Sequence, residues 1–259
     1  MEIIILPTPA EVGVAAAEAI ARVVARKSDA VIGLATGSSP LNIYAELAGR
    51  VAADELDFSQ TSGFALDEYV GIPLDHPQSY HSVIRTEVVE PLRMDPERVH
   101  VPDGRATDIE AACAAYEQAI RDAGGIDIQI LGIGGNGHVG FNEPSSSFAS
   151  RTRIKTLAPK TRADNARFFD SPEQVPTHCL TQGLGTIMDA RRLVLVAQGE
   201  KKADAVAAAV EGPVASSCPG SVLQFHEHAT VIVDEAAASK LRLADYYRYT
   251  YANKPDWQL

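Results

Sequence analysis

Cysteine is scarce in this chain, with three among 259 residues, and Cys113, Cys179 and Cys218 lie far apart. An odd count at that spacing excludes a disulfide framework and offers no zinc pattern; it fits a reducing, cytoplasmic setting. Long apolar runs are also missing. The opening run, residues 3–6, is stopped by Pro7 and is far too short for a signal peptide or a membrane span, and no later segment is long enough to cross a bilayer. Positive charge is in deficit: 23 Lys+Arg against 34 Asp+Glu give a formal net charge of -11. That balance argues against nucleic acid or an anionic membrane as partner, since both need basic patches. An anionic small molecule would have to be met by a few placed cations or by helix N-termini. The chain has no internal repeat, no low-complexity tract, no Gly-Lys-Ser/Thr phosphate loop and no Gly-x-Ser-x-Gly elbow, which removes the P-loop and serine-hydrolase readings, and the turn at 35–40 is not a dinucleotide fingerprint. No metal constellation is visible either; His226 and His228, flanking Glu227, read as surface polar residues on a strand edge.

What is present is an ordinary globular composition, 46% hydrophobic and 22% charged. Short β-branched runs at 2–6, 30–34, 62–66, 126–131, 193–197 and 230–233 alternate with helical patterns at 9–27, 40–51, 78–89, 108–122 and 201–210, and a last helix starts at about 235. In the first helix Val12, Ala16, Ile20, Val23 and Val24 share one stripe. Several of the strands are apolar without alternation, as in a parallel sheet covered on both faces. The expected fold is α/β: a Rossmann-like, doubly wound, mostly parallel sheet with helices on both faces, in a single domain over 1–259. Residues 151–188 are the least regular and are expected to form an excursion beside the sheet.

Three segments fall where such sheets bind ligands, beyond the carboxyl ends of strands. Ala35-Thr36-Gly37-Ser38-Ser39-Pro40 joins a strand to a helix. With Ser39 as N-cap and Pro40 in the first turn it is either an anion site or a plain capped turn. Asp67-Glu68-Tyr69 follows a strand, and its acids read as a base at the sheet edge or as a solvated loop. The third, Gly132-Ile133-Gly134-Gly135-Asn136-Gly137-His138-Val139-Gly140-Phe141-Asn142-Glu143-Pro144, crowds five glycines before Phe141 around a histidine and a glutamate. Glycines let backbone approach a ligand, His138 can move protons near neutral pH, and Glu143 can orient the imidazole and raise its pKa. A capped turn with a structural histidine is the alternative.

Taken together with His76-Pro77-Gln78-Ser79-Tyr80, Ser150-Arg151-Thr152-Arg153, Asn165-Ala166-Arg167-Phe168-Phe169 and Ala209-Val210-Glu211-Gly212, these motifs identify a resemblance. Over nearly its whole length the chain resembles the glucosamine-6-phosphate deaminase (glucosamine-6-phosphate isomerase) family, within the group that includes 6-phosphogluconolactonase. The resemblance implies conversion of D-glucosamine 6-phosphate and water to D-fructose 6-phosphate and ammonium, in amino-sugar catabolism, with no organic cofactor and no metal. It makes Asp67 the base at C2, and His138 the ring-opening group positioned by Asn136 and Glu143. It assigns the substrate phosphate to Thr36, Gly37, Ser38, Ser39, Arg167 and Lys202; by themselves the last two would read as surface charge. Asn136 stands where some relatives carry aspartate, so Glu143 is expected to be the main carboxylate partner of His138.

The resemblance also implies activation by N-acetylglucosamine 6-phosphate at a subunit interface, on Ser146, Arg153, Lys155 and Thr156 with a tyrosine of the C-terminal tail (Tyr246, Tyr247, Tyr249 or Tyr251), and it favours a homohexamer. Arg153 and Lys155, two apart in an extended segment, would point the same way; a salt-bridged surface strand is the alternative. The runner-up activity is 6-phosphogluconolactonase, against which Asp67-Glu68-Tyr69 and Asn142-Glu143-Pro144 weigh. A non-catalytic sugar-phosphate sensor would be free to lose the acid/base residues that are all present here.

Overall fold

In the computed structural model, which describes residues 1–255, the unbroken apolar runs become the interior of one sheet. In chain order the elements begin β1 (Glu2–Leu6), α1 (Pro9–Arg26), β2 (Val31–Leu34), α2 (Leu41–Ala52), β3 (Ser62–Ala65) and β4 (Asp67–Tyr69). Then α3 (Tyr80–Ile84) continues through a π-helical turn, Arg85–Val89, into α4 (Glu90–Leu92), followed by β5 (Val99–His100), α5 (Ile109–Asp122) and β6 (Ile128–Leu131). The remainder holds β7 (Arg153–Thr156), α6 (Pro159–Asn165), β8 (His178–Thr181), α7 (Leu184–Met188), β9 (Leu193–Ala197), α8 (Ala203–Glu211), β10 (Ala229–Asp234) and α9 (Ala244–Ala252), with short 3-10 turns between.

The main sheet has seven strands in the order β1-β10-β9-β6-β2-β3-β5, and its neighbours pair in parallel. Every residue of β2, β6 and β9 is buried, as a sheet packed on both faces requires. Thr8 caps α1 through the Glu11 amide at 3.2 Å, Pro9 opens it, and Val12, Ala16, Ile20 and Val24 bury its stripe. This is the doubly wound parallel architecture expected. Among the described residues no helix is long and apolar enough to cross a membrane.

Three features differ from expectation. Asp67-Glu68-Tyr69 is a strand: β4, β8 and β7 form a second, antiparallel sheet in the order β4-β8-β7, so the irregular stretch 151–188 supplies two of its strands. The last helix starts at Ala244, not near 235; residues 235–240 form turns only, although the Asp234 carboxylate accepts from the amides of Ala237 (2.7 Å) and Gly199 (3.0 Å). His226 is buried, not a surface residue. Its Nδ1 accepts from the His228 amide at 3.1 Å, so Nε2 carries the proton donated to the Ala190 carbonyl at 2.7 Å.

Candidate active site

β6, β2 and β3 are neighbours in the sheet, so the three segments singled out in the sequence emerge side by side. They enclose a cleft of about 490 Å³ lined by residues 35–39, Asp67, Tyr69, Tyr80, Gly132, Gly134, His138, Phe141, Asn165, Arg167 and Lys202 among others.

The turn after β2 depends on Gly37, whose φ of +87° suits glycine alone among ordinary residues. Ser39 is not the N-cap: α2 starts at Leu41 with Pro40 in the cap position and no side-chain cap bond. The hydroxyls of Thr36, Ser38 and Ser39 are therefore not spent on capping. Arg167 reaches Ser38 Oγ at 3.2 Å. Lys202 donates to the Ile133 carbonyl at 2.6 Å, and burial, together with the nearby Arg167 and Lys160, outweighs Asp164 and lowers its pKa. Two cations thus flank a turn rich in hydroxyls and amides, a fit for a phosphate.

Asp67 is 5% exposed at the cleft wall. Burial, and then the charge of Glu68, push its carboxyl well above the usual carboxylate range; the Phe141 amide, which hydrogen-bonds to it, offsets only part of this. That amide also donates to Thr181 Oγ1 at 3.1 Å. A carboxylate raised in this way is a stronger base than a solvated one.

His138 faces the same cleft from the glycine loop. Position 134 has no room for a side chain, because the imidazole ring lies over it, and Gly137 holds φ +84°. The ring has two partners from its own loop. Nδ1 is 2.7 Å from Asn136 Oδ1 and 3.7 Å from Glu143 Oε2. Asn136 Nδ2 in turn donates to Glu143 Oε2 at 2.7 Å. A carboxylate only accepts, so the Asn136 amide nitrogen must face Glu143 and its oxygen must face the ring. Nδ1 then carries the proton and Nε2 keeps a free lone pair. Glu143 is thus the carboxylate partner of the ring, at ion-pair distance and also through Asn136. Burial lowers the His138 pKa; Glu143 and Asp164 draw it back and Lys202 opposes them, with a net shift downward. Burial raises the Glu143 carboxyl, but hydrogen bonds from Thr161, Ala158 and Asn136 and the proximity of His138 hold it below its ordinary value.

Asn136→Asp would put a carboxylate directly on Nδ1. The His138 ring should then titrate at higher pH than in the wild type, followed by NMR of the ring protons; an unchanged or lowered value would show that residue 136 is not the Nδ1 partner.

The residues assigned to an effector do not line this cleft. Ser146 is buried and donates to the Glu143 carbonyl at 2.7 Å. Arg153 and Lys155 do share one side of β7, half-buried, while Ile154 and Thr156 are exposed. Tyr246, Tyr249 and Tyr251 of α9 are exposed. Among the described residues no group of three or more His, Cys, Asp or Glu side chains converges as a metal site.

Residue-by-residue reading missed part of the wall. Tyr69 and Tyr80 meet at 3.4 Å between hydroxyls, and Asn165 Nδ2 donates to the Tyr69 hydroxyl at 2.9 Å. Their only signal was membership of the motifs at 67–69, 76–80 and 165–169. Glu68 was noted as an acid, but two of its three amide partners, Tyr80 and His81, come from backbone that only the fold brings to it.

The family model described as glucosamine-6-phosphate isomerases/6-phosphogluconolactonase matches residues 9–232. A glucosamine-6-phosphate deaminase of Pseudarthrobacter chlorophenolicus is 63% identical over 258 residues, 100% of this chain and 99% of that protein. A solved structure of a monomeric glucosamine-6-phosphate deaminase is 41% identical, with a TM-score of 0.91 over 93% of this chain and 100% of that one. The 6-phosphogluconolactonase of Leishmania guyanensis, 20% identical with a TM-score of 0.73 over 92% of this chain and 97% of that one, shares the fold. By the extent of these matches, the chain belongs to the glucosamine-6-phosphate isomerase/6-phosphogluconolactonase family.

Proposed function

We propose that this protein deaminates D-glucosamine 6-phosphate with water to D-fructose 6-phosphate and ammonium, as one α/β domain. The observation that carries the reading is the pairing, across one cleft with two flanking cations, of a buried carboxylate, Asp67, and an imidazole, His138, held with Nε2 free. Relatives at 63% and 60% identity over the whole chain bear the deaminase name, whereas the lactonase likeness lies at 20%. A lactonase needs to activate water and has no use for a base at C2.

In this reading Thr36, Gly37, Ser38, Ser39, Arg167 and Lys202 hold the phosphate. His138 Nε2 takes the proton of the C1 hydroxyl and delivers it to the ring oxygen as the C1–O5 bond breaks, while Asn136 and Glu143 steady the imidazolium. Asp67 then removes the proton on C2 as the substrate's own C2 ammonium group gives one to the C1 carbonyl oxygen, forming an enolamine, and Asp67 returns its proton to C1, which leaves nitrogen protonated as the C2 iminium. Water adds to the resulting C2 iminium and ammonia leaves, so the ketone carries the water oxygen. One carboxylate can serve both adjacent carbons because they lie within its reach. The test supplies glucosamine 6-phosphate and measures both products; ammonium and fructose 6-phosphate in equal amounts support the reading, and turnover of 6-phosphogluconolactone with neither product would replace it.

We place the protein in the cytoplasm, where its three free cysteines would stay reduced. We also propose Ser146, Arg153, Lys155 and Thr156 as an effector site for N-acetylglucosamine 6-phosphate in a homohexamer. The support is the shared side of Arg153 and Lys155 and the bond from Ser146 to the ring-opening loop; the monomeric relative shows that the hexamer must be measured. The effector should shift the velocity curve to lower substrate concentration, and the protein should scatter light as a hexamer. Superimposable curves from a monomer would sink both ideas.

A further inference from the structure

Glu68 is a buried acid that these steps leave unused. It is 3% exposed beside Asp67, yet it does not line the cleft, because adjacent residues of a strand point to opposite faces. Its carboxylate closes on three backbone amides. Oε1 accepts from Tyr69 at 2.8 Å and Tyr80 at 2.9 Å, and Oε2 accepts from His81 at 2.9 Å.

Two consequences reach the cleft. Tyr80 and His81 open α3, and α3 with its π-helical continuation forms the wall that carries Tyr80, Ser82, Val83 and Thr86. The bonds to Tyr80 and His81 therefore set that wall relative to the strand bearing Asp67, while the Tyr69 bond holds the carboxylate on its own strand. Glu68 also places charge next to Asp67. The other titratable groups felt around Asp67 are Tyr69 on its own strand, Tyr80 from α3, Tyr116 from α5 and Cys179 from β8, beyond which lie Arg153 and Lys155 of β7; burial raises the pKa of each of those four, so they hold their protons at neutral pH. Across the cleft His138 is neutral there too, its pKa lying below the ordinary value. Burial raises Glu68 as well, and its three amide bonds, which favour the ionised form, offset only part of that rise.

We propose that Glu68 is a positioning residue for proton transfer at C2, fixing the strand of Asp67 against the α3 wall through its bonds to the Tyr80 and His81 amides and placing its carboxylate charge beside the base. A glutamine in its place loses the charge and turns an NH2 group toward one of the amides. An aspartate keeps the charge but is one methylene too short to span to α3.

The inference rests on the deaminase reading, so Glu68→Gln and Glu68→Asp are assayed beside the wild type for both products across pH, with folding checked by circular dichroism and melting. In Glu68→Gln, kcat should fall about 10–100-fold, the scale of a small misplacement of a catalytic group, and the acid limb of the rate profile should move to lower pH, because Asp67 loses a negative neighbour. In Glu68→Asp, kcat should fall about tenfold or more while the acid limb stays. Wild-type kcat in Glu68→Gln, or a lowered kcat with an unmoved limb, overturns the inference and leaves the deaminase reading standing; a wild type that forms neither product overturns both. Should Glu68→Gln fail to fold, Glu68→Asp decides: wild-type kcat overturns the proposal, and the stated loss at the wild-type limb supports it.

Discussion

Asp67→Asn is expected to lower kcat by about 10²–10⁴-fold, the usual contribution of a positioned base, while KM for glucosamine 6-phosphate stays within a few-fold. The asymmetry follows from the cleft. In the proposed reading Asp67 serves C1 and C2, whereas the phosphate is held by the β2 turn, Arg167 and Lys202, which line the same cleft. Asparagine keeps the shape and an acceptor for the Phe141 amide but cannot take a proton. The same substitution should raise the melting temperature at neutral pH. Burial holds the Asp67 carboxyl well above its ordinary value, so the folded state binds its proton more tightly than the unfolded chain. Its contribution to stability is full below the unfolded pKa and is lost as pH rises through the folded one. Above that point the ionised carboxylate weakens the fold, and asparagine removes it. With about 1–3 kcal/mol at stake for a buried, under-partnered polar group, and about 2–4 °C per kcal/mol in a chain of this size, the gain should be several degrees near pH 7.5 and should shrink in acid. Activity within tenfold of wild type would remove Asp67 from the C2 step, and a lower melting temperature at pH 7.5 would mean that its charge is compensated in the fold.

The parts legible in the sequence are those set by local pattern. The α1 stripe and the unbroken apolar strands β2, β6 and β9 follow from periodicity, and the order of strands and helices then places the turn after β2 and the glycine loop at one edge. What escaped was set by partners distant in sequence. Three residues containing two acids carry no strand signal; β4 exists because β8 pairs with it, Asp67 opposite Thr181. Asn136 and Glu143 were both picked out, but which of them touches the imidazole depends on how the loop folds back, and their order along the chain does not encode it. His226 looked solvated because its partner, the Ala190 carbonyl, belongs to another part of the chain. The start of α9 was misplaced as well: the alanine-rich run after Asp234 forms turns only, and the helix begins at Ala244.

His138→Gln separates the two proton transfers. Glutamine can hydrogen-bond Asn136 but cannot accept a proton, so ring opening should lose about 10²–10⁴-fold. Residual turnover should then draw on substrate that opens spontaneously in solution. This predicts a change in which step limits the rate, read with substrate deuterated at C2. In the wild type any slowing by deuterium reports the bond that Asp67 breaks. In His138→Gln the slow step comes earlier, and the isotope effect on kcat/KM should fall toward unity. In Asp67→Glu, where the base is present but displaced, the effect should instead reach its full size. The two variants thus move one observable in opposite directions, which a general loosening of the cleft would not do. A full isotope effect in His138→Gln would place the imidazole in the C2 step, and the relay through Asn136 and Glu143 would then serve the carbon proton and not the ring oxygen.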